Sequence, residues 1–538
     1  MKDKKKLKQE KKKLPNMKKT RVEVSLIKAI EARAEYARKL TVKPIDLKAG
    51  KLISVLDDKT AIDLGIKALE RLEIFNPKNK KKTVAIVDVS SEMVAVNEVG
   101  LFRDVLEALN LKGGEEVSVR LVPRPESVKF IKKKLDGIEL NAKEITEIVQ
   151  GIHENILDDV EISSFVSGVY VHGFTFNETV AMTKAIIGVG RQLKLKKGFI
   201  CDKHSIGGIN GRATMLVVPI IAANGLLMPK TSSRAITSPA GTADSMEVLA
   251  PVNLRLEDIK RITEKIGAVI SWGGSVDLAP VDDKIIKVEY PLGIDPQGQV
   301  IASVMSKKAS VGAKYLVIDL PLGPEMKVKS EEEARDMALK FIELGKAFNM
   351  QVVAVVTDGS QPSGKAFGPA IEAKYAMQIL EGKFFDNLAE KACLVAGALL
   401  EEAGKAKKGK GYDLARETLE SGKALKKMLE IIKAQGGKIT KSEEIHVGKF
   451  VEEIKAQTNG TISYFNIKLL RETAKIAGCP GDKRAGLLLA VPKGQRVKKR
   501  DLILTIFGET KEKVDMAKKF ASENPVYEME KVILEKFE

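Results

Sequence analysis

The sequence predicts a multidomain α/β protein, with a helical domain and a mostly parallel α/β domain flanked by a small N-terminal β-rich domain and a C-terminal α+β domain. Three observations predict it. The chain has 538 residues that are 44% hydrophobic, 30% charged and 5% aromatic, an ordinary globular composition at a length suited to roughly three to four domains. Its hydrophobic period changes along the chain, from alternation to helical spacing to short unbroken apolar runs. Four of those runs, "GFICD", "GAVISWGG", "YLVIDLPLG" and "QVVAVVTDGSQPSG", end in loops rich in Gly, Ser or Asp before a helix, as strands of a parallel sheet do.

The elements follow in order. Residues 1–40 read as a basic tail and a charged helical lead-in over about 23–40. Residues 41–124 read as the β-rich domain, with strands "TVKPIDL", "KLISVLD", "KTVAIVDV", "MVAVNEV" and "EVSVRLV" and short helices "LGIKALERL" and "LFRDVLEAL". The prolines of "VPRPES" break the pattern. Residues 125–197 then turn helical, because "ESVKFIKKKLDG", "NAKEITEIVQGIHEN" and "NETVAMTKAIIGVG" space apolar residues three and four apart. The α/β domain occupies 198–443, and 444–538 mix strand and helix signals.

Composition excludes several classes. Ninety Lys and Arg against 72 Asp and Glu give +18, but residues 1–20 alone carry +8 through ten lysines against Asp3 and Glu10. Such a run reads first as a solvated tail, so a nucleic-acid partner is not expected. Cys201, Cys393 and Cys479 cannot build a disulfide framework, and the four histidines show no ligand spacing with them, so no structural metal is expected. The longest apolar stretch, 215–229, contains Pro219, Asn224 and Gly225 and is too short to span a membrane. A soluble, cytoplasmic protein is the expectation.

Ligands of parallel α/β sheets bind where strands end at their carboxyl side. The first such loop, Lys203-His204-Ser205-Ile206-Gly207-Gly208, combines glycines, a cation and a hydroxyl ahead of a helix, which suits phosphate. It is neither GxxxxGK[ST] nor GxGxxG, so no nucleoside triphosphate or dinucleotide is implied. A plain strand-to-helix turn with a serine cap is the competing reading. The second loop holds Thr231, Ser232, Ser233, Arg234, Thr237, Ser238 and Thr242 before another helix; that many hydroxyls exceed what a cap needs and suit a phosphate or sugar phosphate. Further on stand Asp295 in "DPQG", which also fits a simple turn, then Ser303 and Lys307 four apart, and Lys327 after a strand. Trp272 is expected in the core.

The blocks "KHSIGG", "PKTSSRAITSPAGTADSMEVLAPV", "IASVMSKK" and "VTDGSQP" resemble the thymidine/pyrimidine nucleoside phosphorylase family, and within it the AMP phosphorylases and their thymidine phosphorylase relatives. The resemblance covers about residues 41–538. It implies a helical domain, with a return segment near 280–312, hinged to the α/β domain, and assembly as at least a homodimer. It implies phosphorolysis of a nucleoside 5′-monophosphate to free base and ribose 1,5-bisphosphate, with inorganic phosphate as co-substrate and no cofactor. Transferred position by position, Gly207, the run Ser233, Arg234, Ala235, Ile236, Thr237 and Ser238, then Thr242, Ser303 and Lys327 become nucleotide-binding residues, and Asp295 the proton donor. From the thymidine enzymes, Lys203, Ser205, Ser232 and Thr242 become phosphate-binding and His204, Ser303 and Lys307 base-side residues.

Two departures bear on substrate. The thymidine enzymes place a pyrimidine-reading arginine shortly before the Asp295 segment, where this chain has Ile285, Ile286, Lys287 and Val288. Hydroxyls of Ser233, Thr237 and Ser238 also stand where those enzymes have a glycine-rich loop. Both favour a nucleotide, while the pyrimidine nucleoside phosphorylase reading stays as the alternative. Cleavage through an oxocarbenium-like sugar requires a held nucleophile on one face and a proton for the leaving base on the other, so Asp295 is expected to be buried.

Overall fold

The computed structural model describes residues 37–122, 125–196, 198–207, 213–235 and 238–530. The basic tail, Gly208, Ile236 and Thr237 lie outside the described residues. The chain divides into two compact units, one ending at Gly168 and the other starting at Val169.

In the first unit β1 (Ala37–Ile45), β2 (Ile53–Leu56), β3 (Arg71–Asn76), β4 (Lys81–Val89), β5 (Glu98–Phe102) and β6 (Glu116–Val122) close a barrel in the order β1-β5-β2-β4-β3-β6. Closure removes the exposed edges of a small sheet. Helices α1 (Asp58–Leu64) and α2 (Arg103–Leu109) sit between strands. Three local expectations fail here. Ala37–Leu40, expected to end a helix, begin β1, where Leu40 is buried and pairs with Val117. The helix expected at "LGIKALERL" lies upstream, because Asp57 caps Lys59 and Thr60 and Gly65, at φ 65°, stops it. "MVAVNEV" is turn up to Asn97, whose φ of 67° no strand tolerates. After the barrel come α3 (Ser127–Leu135), α4 (Ala142–His153) and α5 (Asp159–His172), the last with no counterpart in the sequence reading and ending beyond Gly168.

The second unit continues with α6 (Phe176–Val189), β7 (Cys201–Ser205), α7 (Ala213–Ala223), β8 (Met228–Ser232), α8 (Thr242–Leu249), α9 (Leu256–Ile266), β9 (Ala268–Trp272), α10 (Pro280–Leu292), α11 (Gln297–Ser310), β10 (Tyr315–Leu322), α12 (Glu331–Ala347) and β11 (Gln351–Asp358). β10 pairs in parallel with β11 and β7, β8 pairs in parallel with β9, and the Ile200 to Leu227 bridge joins the two sets. All these strands therefore point their carboxyl ends the same way. The apolar stretch too short for a membrane forms α7, whose residues Ala213 to Ala222 are all buried, as a helix apolar all round must be. Among the described residues no helix is long and apolar enough to cross a membrane.

Four further helices complete this layer: α13 (Pro369–Leu380), α14 (Asn387–Glu402), α15 (Gly411–Glu420) and α16 (Lys423–Ala434). Beyond them, β12 (Ala366–Phe367), β13 (Phe450–Lys455), β14 (Gly486–Leu489) and β15 (Leu502–Gly508) form an antiparallel sheet in the order β12-β14-β15-β13. Helices Ile467–Ile476 and Lys511–Glu523 pack with it around a core that includes Phe465, Leu487 and Ile506.

Candidate active site

The carboxyl ends of β7, β8, β9 and β10 open onto a cavity of about 980 Å³ whose other wall is α10 and α11. Of the predicted site residues, Lys203, His204, Ser205, Gly207, Ser232, Ser233, Arg234, Ser238, Thr242, Asp295, Ser303, Lys307 and Lys327 line it. Ala235 is not among the lining residues.

Strand register builds the floor. Lys203 and Ser205 are two apart on β7 and so share a face, and Lys203 Nζ lies 2.6 Å from Ser205 Oγ. Ser205 is the register partner of Asp319 on β10 and donates its hydroxyl to that carboxylate. Asp319 also accepts from Thr357 Oγ1 at 2.6 Å and pairs with Lys391 at 3.1 Å. Next to this network Asp202 pairs with Lys308 at 2.8 Å and Lys230 at 3.4 Å. Lys203, Lys230, Lys308, Lys391, Asp202 and Asp319 are all buried, none more than 8% exposed. Four lysines against two aspartates leave an excess of positive charge inside the protein.

Titration follows from that imbalance. Burial, with Lys308 and Lys203 alongside, pushes the Lys230 ammonium down to about 7 despite Asp202. Burial raises the Asp202 carboxyl, but Lys230 and Lys308 outweigh it and hold it below the usual range; Lys391 and Lys203 do the same for Asp319. His204 is held well below its ordinary value by desolvation first and then by Lys308, Lys230 and Lys307. Uncompensated buried cations are costly, and an anion in the cavity relieves that cost. Gly207 turns the chain here at φ 145°, a conformation other residues rarely adopt, although among the described residues a side chain would meet nothing nearer than Pro321 at 3.7 Å.

The second loop is fastened from within. Arg234 donates to both carboxylate oxygens of Glu247 at 2.7 Å, reaches Asp244 at 3.2 Å and lies 4.9 Å from the ring centre of Trp272. Asp244 accepts from the backbone N–H groups of Ala235 at 2.7 Å and Gly241 at 2.8 Å. Arg234, read in the sequence as a phosphate clamp, thus has its guanidinium engaged by protein carboxylates, and it holds the loop that carries Ser233 against the start of α8. Trp272 packs, partly buried, against the core as expected and also lines the cavity.

The helical wall is acidic and amide-bearing. Lys307 pairs with buried Asp282 at 2.6 Å, and Lys327 pairs with Asp295 at 2.8 Å. The Asp295 side chain is 53% exposed, so the burial expected of it is absent; it sits in the 293–296 connection between α10 and α11, not inside either helix. Its neighbour Glu289 is buried, and desolvation, with Asp282 and Asp295 nearby, raises its carboxyl to about 7.

Residues 128–190 match the helical bundle domain of a glycosyl transferase family, and residues 197–425 match its a/b domain. An AMP phosphorylase of Methanococcoides burtonii is 44% identical over 502 residues, covering 93% of this chain and 99% of that protein. AMP phosphorylase 1 of Archaeoglobus fulgidus is 43% identical over 486 residues, with 90% and 96% covered. The chain belongs to this glycosyl transferase family, among its phosphorylases. An AMP phosphorylase of Methanothrix thermoacetophila is 41% identical over 498 residues, with 92% and 96% covered.

For a phosphorylase of this family, sequence reasoning missed or left unassigned Asp202, Lys230, Lys308, Asp319 and Lys391 on the floor and Glu289 and Gln299 on the wall. A signal existed for two of them. Asp202 and Asp319 interrupt the apolar runs "GFICD" and "LVIDLP", and a charge inside a buried parallel strand is expensive unless it is paired for a purpose. Lys391, inside an otherwise apolar helix, offers only a weak version of that signal.

Proposed function

We propose that the protein is an AMP phosphorylase, which uses inorganic phosphate to convert nucleoside 5′-monophosphates into free base and ribose 1,5-bisphosphate, without a cofactor. The observation that carries this is the positive excess of the buried floor beside a separate hydroxyl-rich loop: room and charge for two anions near one sugar. The attacking phosphate belongs against Lys203, Ser205 and Lys391, where an anion offsets buried positive charge. The nucleotide 5′-phosphate belongs at the loop of Ser232, Ser233, Ser238 and Thr242, where hydroxyls and the start of α8 donate to it. The base then faces Ser303 and Lys307 on α11.

In the reaction a phosphate oxygen forms the new bond to the anomeric carbon as the glycosidic C–N bond breaks. The bonding pair leaves with the base nitrogen, and Asp295 supplies the proton that neutralises it. To act as the acid, Asp295 must first take up a proton and give up its pair with Lys327, and its exposure gives solvent access for that before each turnover. Holding both anions converts an encounter into a positioned attack, a contribution of about 7–11 kcal/mol in well-oriented systems.

The test is release of free base from AMP, CMP, UMP, thymidine and uridine by purified protein, with and without phosphate. Phosphate-dependent release from the monophosphates is the expected result. Release from thymidine or uridine alone would replace this reading with a pyrimidine nucleoside phosphorylase, and no release would refute phosphorolysis.

A further inference from the structure

We propose that Gln299 reads the edge of the nucleobase and is the residue that sets which base is accepted. This rests on the nucleotide phosphorolysis reading. Gln299 lies in the first turn of α11, lines the cavity, is 3% exposed, and neither its Oε1 nor its Nε2 has a hydrogen-bond partner among the described residues. Buried side-chain amides are nearly always paired, so the missing partner is expected to arrive with the ligand.

The amide's chemistry says which part of the ligand that is. A primary amide offers donors and an acceptor side by side. A phosphate, anionic and chiefly an acceptor, would satisfy Nε2 and leave Oε1 facing like charge. Adenine presents an amino donor next to a ring-nitrogen acceptor, and a glutamine can pair with both at once. Position adds to this. Gln299, Ser303 and Lys307 are four apart and so lie on one face of α11, and all three line the cavity. Gln299 is one turn beyond Ser303, at the end of that row away from Lys307. The wall beside it holds buried Glu289, whose Oε1 is also unpaired, so the base edge meets polar groups that the protein itself leaves open.

The test uses the full chain with Gln299→Met, which keeps the length of the side chain and removes both polar atoms, and Gln299→Glu, which keeps the shape but has acceptors only when ionised. Steady-state kcat/KM is measured for AMP, CMP, UMP, GMP and 2′-deoxy-AMP at saturating phosphate. Gln299→Met is expected to lower kcat/KM for AMP about 10- to 100-fold, the loss for one bidentate base contact, with the KM for phosphate unchanged. Gln299→Glu is expected to raise the GMP to AMP ratio at least about tenfold, because guanine places two donors side by side where a carboxylate can accept both. An equal loss for every base would reduce Gln299 to a packing role and overturn the proposal. So would a loss on AMP that vanishes with 2′-deoxy-AMP, which would assign the amide to the sugar. Should Gln299→Glu fail to fold, the base order of Gln299→Met decides alone. A wild-type protein that releases no base from any monophosphate overturns the phosphorolysis reading as well, whereas an active wild type with unaltered base order in the variants overturns only this proposal.

Discussion

Replacing Glu289 by Gln should make the second unit more stable at neutral pH while changing little in acid. Glu289 is 7% exposed, and desolvation, then Asp282 and Asp295, raise its carboxyl from 4.5 to about 7. The native state therefore binds this proton more tightly than the unfolded chain does. Stability from that proton is fully present below about pH 4.5 and is lost as pH rises to about 7, the sign required when the folded value is the higher one. At about 1.4 kcal/mol for each pH unit, the interval corresponds to about 3 kcal/mol. Gln is neutral at every pH and of the same shape, so the variant escapes the loss. Urea unfolding followed by fluorescence is the assay, since Trp272 is the chain's single tryptophan and lines the same cavity. The difference between variant and wild type should grow in the variant's favour by about 3 kcal/mol between about pH 4.5 and pH 8. A difference that stays constant with pH would show that Glu289 is ionised in the folded protein and refute the argument.

Asp295→Asn should reduce kcat on the order of 10²- to 10⁴-fold with nucleotide KM largely kept; steady-state kinetics on AMP that find an unchanged kcat would return Asp295 to a turn carboxylate paired with Lys327. Gly241→Ala should raise nucleotide KM and lower the thermal midpoint, because its Cβ would lie 2.4 Å from the Ser233 carbonyl oxygen and 2.6 Å from the Arg234 carbonyl carbon, and backbone cannot yield cheaply. Arg234→Ala should weaken a nucleoside monophosphate more than the matching nucleoside, since it releases the loop that carries Ser233; equal losses in KM for the two would detach that loop from the 5′-phosphate.

How much could be read in advance depends on where each signal resides. The parallel strands were legible because apolar runs ended in Gly- and Ser-rich loops, and the loops were legible because their hydroxyls and glycines exceed what turns require. Strand β8 was not, since its residues "MPKTS" carry a proline and a lysine that suit a loop as well as a buried strand, and only pairing with β9 decides. Helix α5 escaped because its apolar residues lie almost all round, leaving little periodic contrast. The local motifs gave Lys203, Ser205 and Ser303 as candidates, but the Asp319 to Lys391 pair joins positions 72 residues apart, and the Lys308 to Asp202 pair spans 106. No spacing rule reaches that far. Gln299 is harder still: the proposal for it rests on an amide with no partner among the described residues, and no sequence pattern carries that.

The charge that matters for chemistry is also not the charge that composition displays. The chain's +18 draws almost half its value from residues 1–20, where a lysine in water is worth little in any one interaction. Lys203, Lys230, Lys308 and Lys391 add four charges to that sum, yet they are buried, where the same charge acts at a far lower effective dielectric. Asp202 and Asp319 keep those lysines inside but do not cancel them, and on the helical wall Asp282 pairs with Lys307 and Asp295 with Lys327. The remaining positive charge lines the floor of the cavity, where the proposed phosphate would offset it. A tail-based RNA reading accounts for +8 of the +18 and leaves the buried lysines without a purpose, whereas the proposed phosphorolysis uses Lys203 and Lys391 to hold the attacking phosphate.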